Sequence, residues 1–449
     1  MKTDVLIIGG SATGLVAAMT AKSSYPDKTV TLIRKDEKVM VPCGIPYIFG
    51  TVQTSDNNIL PDEGLKKLGV NIIIDEVVSV DKANKVCTLS GGDTCSYDKL
   101  VLGVGSMPIL PAWLPGTQLK KVYTIQKGKT YLDQLQSDLA ECRRIAVIGA
   151  GFIGVEVSDE LAKIGKEVTL IEILPHILGQ TFDDEFAIEA EKIMADRGVK
   201  VVTGVGVEAL LGDTEVNQLR LSDGTVFEVD AVILSMGYRA STSLAQAMEL
   251  EINPLGFIRA DQYRRTSAKD VFAAGDCAEK VDFATGKLSR VMLASTACTE
   301  GRIAGLNLYG LDTYSTFKGT VGIYFTCLGG TGFGVAGLTE KQAVSEGFNI
   351  ITGSFSGIDR HPGKITDVHA QTVKLVVSCK SGVILGGAAM GGKSLGELVN
   401  VIGLAIQNHM TVHDLLMTQI GTHPMLTASP AGYPLIKAAE VIAKKMRGS

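Results

Sequence analysis

The sequence predicts an α/β fold with parallel sheets, and three observations predict it. The segments "VLIIGGSATG" (5–14) and "IAVIGAGFIG" (145–154) each run from an apolar strand through a glycine turn into a helix. Each helix leads to a second apolar strand, Val30 to Ile33 in one case and the strand ending at Glu172 in the other. The third observation is a quiet repeat: "YDKLVLGVGSMP" (97–108) and "VDAVILSMGYRA" (229–240) both pass from an acidic residue through a buried strand to a glycine. Two such units in one chain are two dinucleotide-binding folds.

In the first unit, Val5 to Ile8 is the strand, Gly9, Gly10 and Gly14 make the turn, and Leu15 to Lys22 is helix. The free amides at that helix N-terminus are placed to hold a pyrophosphate. Ser11 stands where the second glycine of GxGxxG is expected, followed by Ala12. Arg34 and Lys35 occupy the place of the usual acidic ribose ligand. Arg34 reads either as a ligand of the ribose or adenine or as a solvent-facing arginine at a strand end.

The second unit carries the complete fingerprint: Gly149, Gly151 and Gly154 after the strand Ile145–Ile148, and Glu172 at the end of the next strand. A carboxylate there accepts hydrogen bonds from a ribose 2′-hydroxyl. Ile173 and Leu174 follow, with no arginine for a 2′-phosphate, so NADH is expected over NADPH. Val78, Gly105, Ile153 and Gly237 join the candidate cofactor-contacting residues of the two units.

Composition sets the bounds. The 449 residues are 45% apolar and 20% charged, with net charge −5 and no basic stripe, so nucleic acid is not an expected partner. A single Trp and 6% aromatic residues argue against a carbohydrate or base-stacking surface. No run of apolar residues is long enough to span a membrane, and Asp4, Gly9 and Gly10 interrupt the resemblance of the N-terminus to a signal peptide. Eight scattered cysteines, with no CxxC and no metal-ligand spacing, fit a reducing cytoplasm and predict no metal site.

One of them is singled out by "VPCGIPY" (41–47). Cys43 follows Pro42 and opens an expected helix, whose N-terminus favours thiolate, and no second cysteine stands within reach for a local disulfide. Taken alone, it reads as a small buried hydrophobe.

Further along, "TSAKDVFAAGDCAE" (266–279) resembles the second flavin motif of the FAD-dependent pyridine nucleotide–disulfide oxidoreductases. The segment "VMLASTACTEGRIAGLNLYG" (291–310), with Ala294 near its start, resembles the helix that follows in that family. With both fingerprints and "CGIPY", the resemblance covers essentially the whole chain, and it is closest to the single-cysteine branch: coenzyme A disulfide reductases, NADH oxidases and peroxidases, and persulfide reductases. It implies FAD on the first unit, with Gly275 and Asp276 at the ribityl–pyrophosphate portion, and NADH on the second, with Phe152 as an aromatic gate. It implies Cys43 as the redox centre, with a lowered pKa, Gly44 leaving room for the flavin and Tyr47 on the substrate side.

Four segments follow from the resemblance: 1–112 and 241–315 as a split FAD-binding domain, 113–240 as the NAD-binding domain, and 316–449 as an α+β dimerisation domain. The last reads as a β-meander with amphipathic helices, Asn400 to Ile406 being apolar enough to bury against another subunit of a homodimer. His423, in "GTHPMLTASP" (421–430), resembles the histidine that acts as acid–base in the partner's site, but the usual glutamate after it is absent, so a structural role stays open. "DRHPGK" (359–364) stands where coenzyme A disulfide reductases carry Tyr-Tyr-Pro-Gly; Arg360, His361 and Lys364 meet a phosphate-bearing thiol or form a solvated turn. Three functions are therefore expected in order: NADH-dependent reduction of a small disulfide or persulfide, reduction of oxygen or peroxide, and a non-catalytic scaffold or electron-transfer partner.

Overall fold

The computed structural model describes residues 1–315 and 317–448. The first unit opens with β1 (Lys2–Ile8), α1 (Ala12–Ser24) and β2 (Val30–Arg34). Val5, Leu6, Ile7, Val30 and Leu32 have no exposed surface, which fits parallel strands covered on both faces. A Cβ on Gly14 would lie 1.8 Å from the Gly9 carbonyl oxygen, so α1 reaches the strand only because that side chain is missing. Beyond β3 (Asn71–Ile74), the strands β4 (Val77–Asp81), β5 (Val86–Leu89) and β6 (Thr94–Leu102) pair antiparallel in sequence, and β6 also returns parallel to β1. The sheet order is β3-β2-β1-β6-β5-β4.

The second unit repeats the device with β7 (Val122–Thr124), β8 (Arg144–Ile148), α2 (Phe152–Lys163), β9 (Glu167–Ile171), β10 (Lys200–Val202) and β11 (Ala231–Leu234). All pairings are parallel, in the order β10-β9-β8-β11-β7. Here a Cβ on Gly154 would lie 1.9 Å from the Gly149 carbonyl oxygen.

The chain then returns to the first sheet. β12 (Val271–Ala273) pairs parallel with Leu100–Leu102 of β6, and α3 (Ala294–Leu306) lies along α1. Small residues allow that contact: a Cβ on Gly301 would be 2.7 Å from the Thr13 carbonyl oxygen, and one on Gly305 would be 2.8 Å from Thr20 Cβ. Beneath α3, buried Glu300 accepts from Arg264 Nη1 at 2.7 Å and from the Gly275 amide at 2.8 Å, with Lys280 Nζ 3.8 Å away.

The C-terminal region has five antiparallel strands, not in simple meander order. They are β13 (Ile323–Leu328), β14 (Thr331–Gly337), β15 (Ile350–Ile358), β16 (Ala370–Ser378) and β17 (Ile384–Gly391), in the order β13-β14-β17-β16-β15. The β13–β14 hairpin therefore joins the later three strands through β17 rather than continuing them. The helix α4 (Leu395–Gln407) buries Leu398, Val399, Ile402 and Ile406 on this sheet and leaves Val401 and Leu404 exposed. Asn400 to Ile406 is thus two-faced, one face buried on its own sheet and the other, Val401 and Leu404, exposed. No helix among the described residues is long and apolar enough to cross a membrane.

Replacing Glu300 by alanine strands two buried cations and is expected to cost about 3–5 kcal/mol. Chemical denaturation of the purified protein should show a lowered midpoint; an unchanged midpoint would refute the role given to this carboxylate.

Candidate active site

The two glycine turns open into one cavity of about 1620 Å³, more than the roughly 300–1,000 Å³ of a single-ligand pocket. Gly9, Gly10, Ser11 and Ala12 line it from the first unit, and Gly149, Gly151 and Ile153 from the second. Gly105, Gly237, Asp276 and Ala294 close its walls, and Pro42, Cys43 and Tyr47 face it from the loop after β2. Gly14, Gly154 and Gly275 stand behind the wall and act through packing; a Cβ on Gly275 would meet Thr13 Oγ1 at 1.9 Å. Val78 does not line the cavity: it is 54% exposed, and its neighbour Val77 takes the place, because successive side chains on a strand point to opposite faces. His423 of this chain is exposed and lies outside the cavity wall.

The residues fit two dinucleotides. At Gly151 φ is −73°, which any residue adopts, yet a Cβ would meet no protein atom. The glycine is not needed by the protein's own packing; it leaves space in the cavity at the N-terminus of α2. Glu172 accepts from the amides of Ala150 at 2.7 Å and Leu174 at 2.9 Å, which holds its carboxylate at the cavity wall.

Arg34 matches neither of its expected readings. Its side chain is buried, and both terminal nitrogens donate to Asp62 at 2.7 Å, with Nη2 also reaching the Glu37 carbonyl at 2.6 Å. The stem packs over Gly10, where a Cβ would be 2.5 Å from Arg34 Cδ. Arg34 therefore shapes the wall with its hydrocarbon while Asp62 takes its charge. Lys35, also on the wall, pairs with Glu76.

Around the cysteine, three expectations are corrected. The helix at Cys43 is only a 3₁₀ turn, Pro42–Gly44, which carries little dipole. The space at Gly44 serves the protein, not a cofactor: a Cβ there would lie 2.0 Å from Asn58 Oδ1, and Asn58 Nδ2 donates to the Val41 carbonyl at 3.0 Å. Nor does the polypeptide alone lower the thiol pKa. Burial raises it, and the charges of Glu156 and Asp276 raise it further, while Lys127 opposes them.

Several residues of this site carry no sequence signal that singled them out. Lys127 Nζ reaches Asp276 Oδ2 at 3.2 Å and Ser106 Oγ at 2.9 Å, and Ser106 donates to the same carboxylate at 2.7 Å. Tyr324 on β13 stacks on Phe152, with centroids 5.3 Å apart and planes within 8°. Glu156 lies four residues after Phe152 on α2, inside a buried "EVSDE" run that itself marks an unusual helix face. Its neighbours on that run are accounted for: Asp159 pairs with Arg197, and Glu160 takes the Thr51 amide and hydroxyl. Among the described residues no cation pairs with Glu156. Burial pushes its pKa up to about 7, with the hydroxyls of Thr326 and Tyr47 pulling back and Glu160 adding to the rise. Thr326 Oγ1 makes no hydrogen bond of good geometry in return.

Comparison with known families matches residues 3–301 to "Pyridine nucleotide-disulphide oxidoreductase" and residues 326–431 to the dimerisation domain of the same name. The chain belongs to the pyridine nucleotide-disulphide oxidoreductase family. It is an FAD-dependent NAD(P)H oxidoreductase with a dimerisation domain. Among its relatives, an "NADH oxidase" of Methanocaldococcus jannaschii is 28% identical over 98% of this chain and 99% of that protein. An "NAD(P)H coenzyme A polysulfide/persulfide reductase" of Pyrococcus horikoshii is 29% identical over 98% of this chain and 99% of its own length. Among solved structures, an NAD-dependent persulfide reductase from A. fulgidus superposes with a TM-score of 0.91 at 27% identity, covering 100% of this chain and 84% of that one.

The Glu156 carboxyl makes stability fall as pH rises. Its folded pKa of about 7 exceeds the unfolded value of 4.5, so the native state binds the extra proton between them. That contribution is full below the lower value and lost as pH passes through the upper one. Thermal unfolding of Glu156→Gln should lack this decline and exceed wild type at and above neutral pH; parallel pH profiles for the two proteins would contradict the assignment.

Proposed function

We propose that this chain uses NADH to reduce a low-molecular-weight disulfide or persulfide at Cys43. The observation that carries the reading is the placement of Cys43: an exposed, unpaired thiol on the wall of the cavity that both glycine turns open into. FAD held by Gly9, Gly10, Ser11, Ala12 and Asp276 would relay two electrons from NADH, held by Gly149, Gly151 and Glu172, to sulfur.

Cys43 thiolate attacks one sulfur of the disulfide, forms a mixed disulfide and expels the other half as thiolate. Two electrons and a proton then break the mixed disulfide, releasing the second thiol and restoring Cys43. A persulfide enters the same way, with Cys43 taking the outer sulfur and reduction releasing it as sulfide. Glu156, protonated near neutrality and sharing the cavity with Tyr47, is a proton donor for the expelled thiolate. Tyr47, its own pKa raised by burial and by Glu156, stays neutral and lines the acceptor side. His423, Arg360, His361 and Lys364 are not among the residues lining this cavity; a part for them in the partner's site of a homodimer rests on the resemblance, beside a structural role or a solvated turn. The exposed Val401 and Leu404 of α4 are one face for that pairing.

NADH is favoured over NADPH by Glu172 followed by Ile173 and Leu174. The division at residues 112, 240 and 315 is part of this proposal; the return of β12 to the first sheet supports a split first domain. A cytoplasmic location agrees with eight free cysteines. The second reading, reduction of oxygen or peroxide with Cys43 cycling through sulfenic acid, draws on the relatives named NADH oxidase.

The deciding experiment is anaerobic. The flavoprotein is reduced with NADH and mixed by stopped flow with coenzyme A disulfide, a persulfide, peroxide or air, in wild type and Cys43→Ser. Reoxidation by a sulfur acceptor is expected in wild type, with a loss of at least a hundredfold in the variant. Reoxidation by air alone, at equal rates in both proteins, defeats the reading.

A further inference from the structure

We propose that Cys87 and Cys95 form a second redox pair, which a hydroperoxide closes into a cross-strand disulfide. The two residues are direct partners across the antiparallel strands β5 and β6. Opposed residues in such a ladder have Cα atoms about 4.5–5.5 Å apart, within the roughly 4.4–6.8 Å that a disulfide accepts. Both side chains point to the same covered face, where they pack with Tyr97, Met248 and Leu250.

The two thiols interact across the ladder, and that interaction lowers the pKa of Cys95 and raises that of Cys87. The N-terminal ammonium assists: it donates to the Thr94 carbonyl at 2.8 Å and attracts the neighbouring Cys95 thiolate. Cys95 also points its thiol at a backbone carbonyl, that of Ser96 at 3.7 Å, as the buried Cys142 and Cys277 do; what sets it apart is Cys87 directly across the strand pair. The geometry thus supplies a nucleophilic thiolate and a resolving thiol already opposed to it.

Neither sulfur has exposed surface in the closed sheet. The pair nevertheless lies beside an exposed turn, residues 90–94, with β4 at the edge of the sheet on one side. Opening of that turn frays the strand pair toward both cysteines together, and local openings at sheet edges occur well below the cost of global unfolding. The chemistry balances. Cys95 thiolate attacks one oxygen of the hydroperoxide, giving sulfenic acid and releasing hydroxide or alkoxide, which takes a proton. The Cys87 thiol then attacks that sulfur, forms the S–S bond and releases water, so two thiols are oxidised by two electrons.

The test uses a convenience of the sequence: Lys85 and Lys99 bracket both cysteines in one tryptic peptide, 86–99, which contains no methionine. Holoenzyme, both wild type and Cys43→Ser, is exposed to hydrogen peroxide, alkylated, digested and weighed. In both proteins the peptide should lose two hydrogens and resist alkylation until a dithiol reductant is added. In Cys87→Ala, Cys95 should instead progress to sulfinic acid. Two alkylated thiols in peptide 86–99, under exposure that fully oxidises Cys327, would overturn the proposal. So would sulfinic acid at Cys95 in the wild type without disulfide. The Cys43→Ser arm keeps this outcome independent of the proposed catalytic role.

Discussion

The first unit of this molecule depends on one buried carboxylate, Glu300. It comes from α3, yet it pairs with Arg264, lies 3.8 Å from Lys280 and accepts the amide of Gly275, binding a late helix to the turn after β12. A charge this deep is tolerated only when its oxygens are fully used. The gain is positional. With Gly275 fixed, Asp276 falls beside Ser106 and Lys127, at the cavity end of the strand turn from the first unit. The small residues of α3 complete the constraint, since Gly301 and Gly305 let it close on α1, whose N-terminus faces the same cavity.

The electrostatics of the site have a common theme: the polypeptide by itself favours neutral groups. Burial and two carboxylates hold the Cys43 thiol up, and burial holds Glu156 protonated near neutrality. Lys127 is the cation opposing this at the cysteine, and it is engaged with Asp276. A reactive thiolate in such surroundings requires compensating polar groups from what the cavity takes up, which couples the chemistry at Cys43 to the loading of both nucleotide folds.

The fold was legible because both units state it in local pattern: buried parallel strands, glycines whose missing side chains admit a helix, and an acid at a strand end. The cavity-lining glycines were legible for the same reason, whereas Cys43, Tyr47, Phe152 and Asp276 were assigned to the site by the family resemblance, and all four line the cavity. What the sequence concealed arises from contacts between distant segments. The partner of Arg34 lies in the loop at Asp62, the neighbour claiming the space at Gly44 is Asn58, and Tyr324 meets Phe152 from another sheet. The thiol pKa was misjudged because a three-residue turn looked, in sequence, like the start of a longer helix. Val78 was placed one residue out of phase, a small slip that in a strand reverses the face.

The strand β6 has a further consequence. Its first half pairs with β5, its middle and second half with β1, and residues 100–102 also with β12. Emerging from a ribosome, the first sheet therefore waits with one edge unsatisfied while everything from β7 to β11 is made, although that later unit has all its strands in hand. The second unit can condense first, as an inserted body, and the older part of the chain completes only when residue 273 arrives. Until then the open edge at Leu100–Leu102 is apolar and extended, the kind of surface that chaperones cover and that pairs wrongly with other chains. The first sheet to be started is thus completed after the second has all its strands.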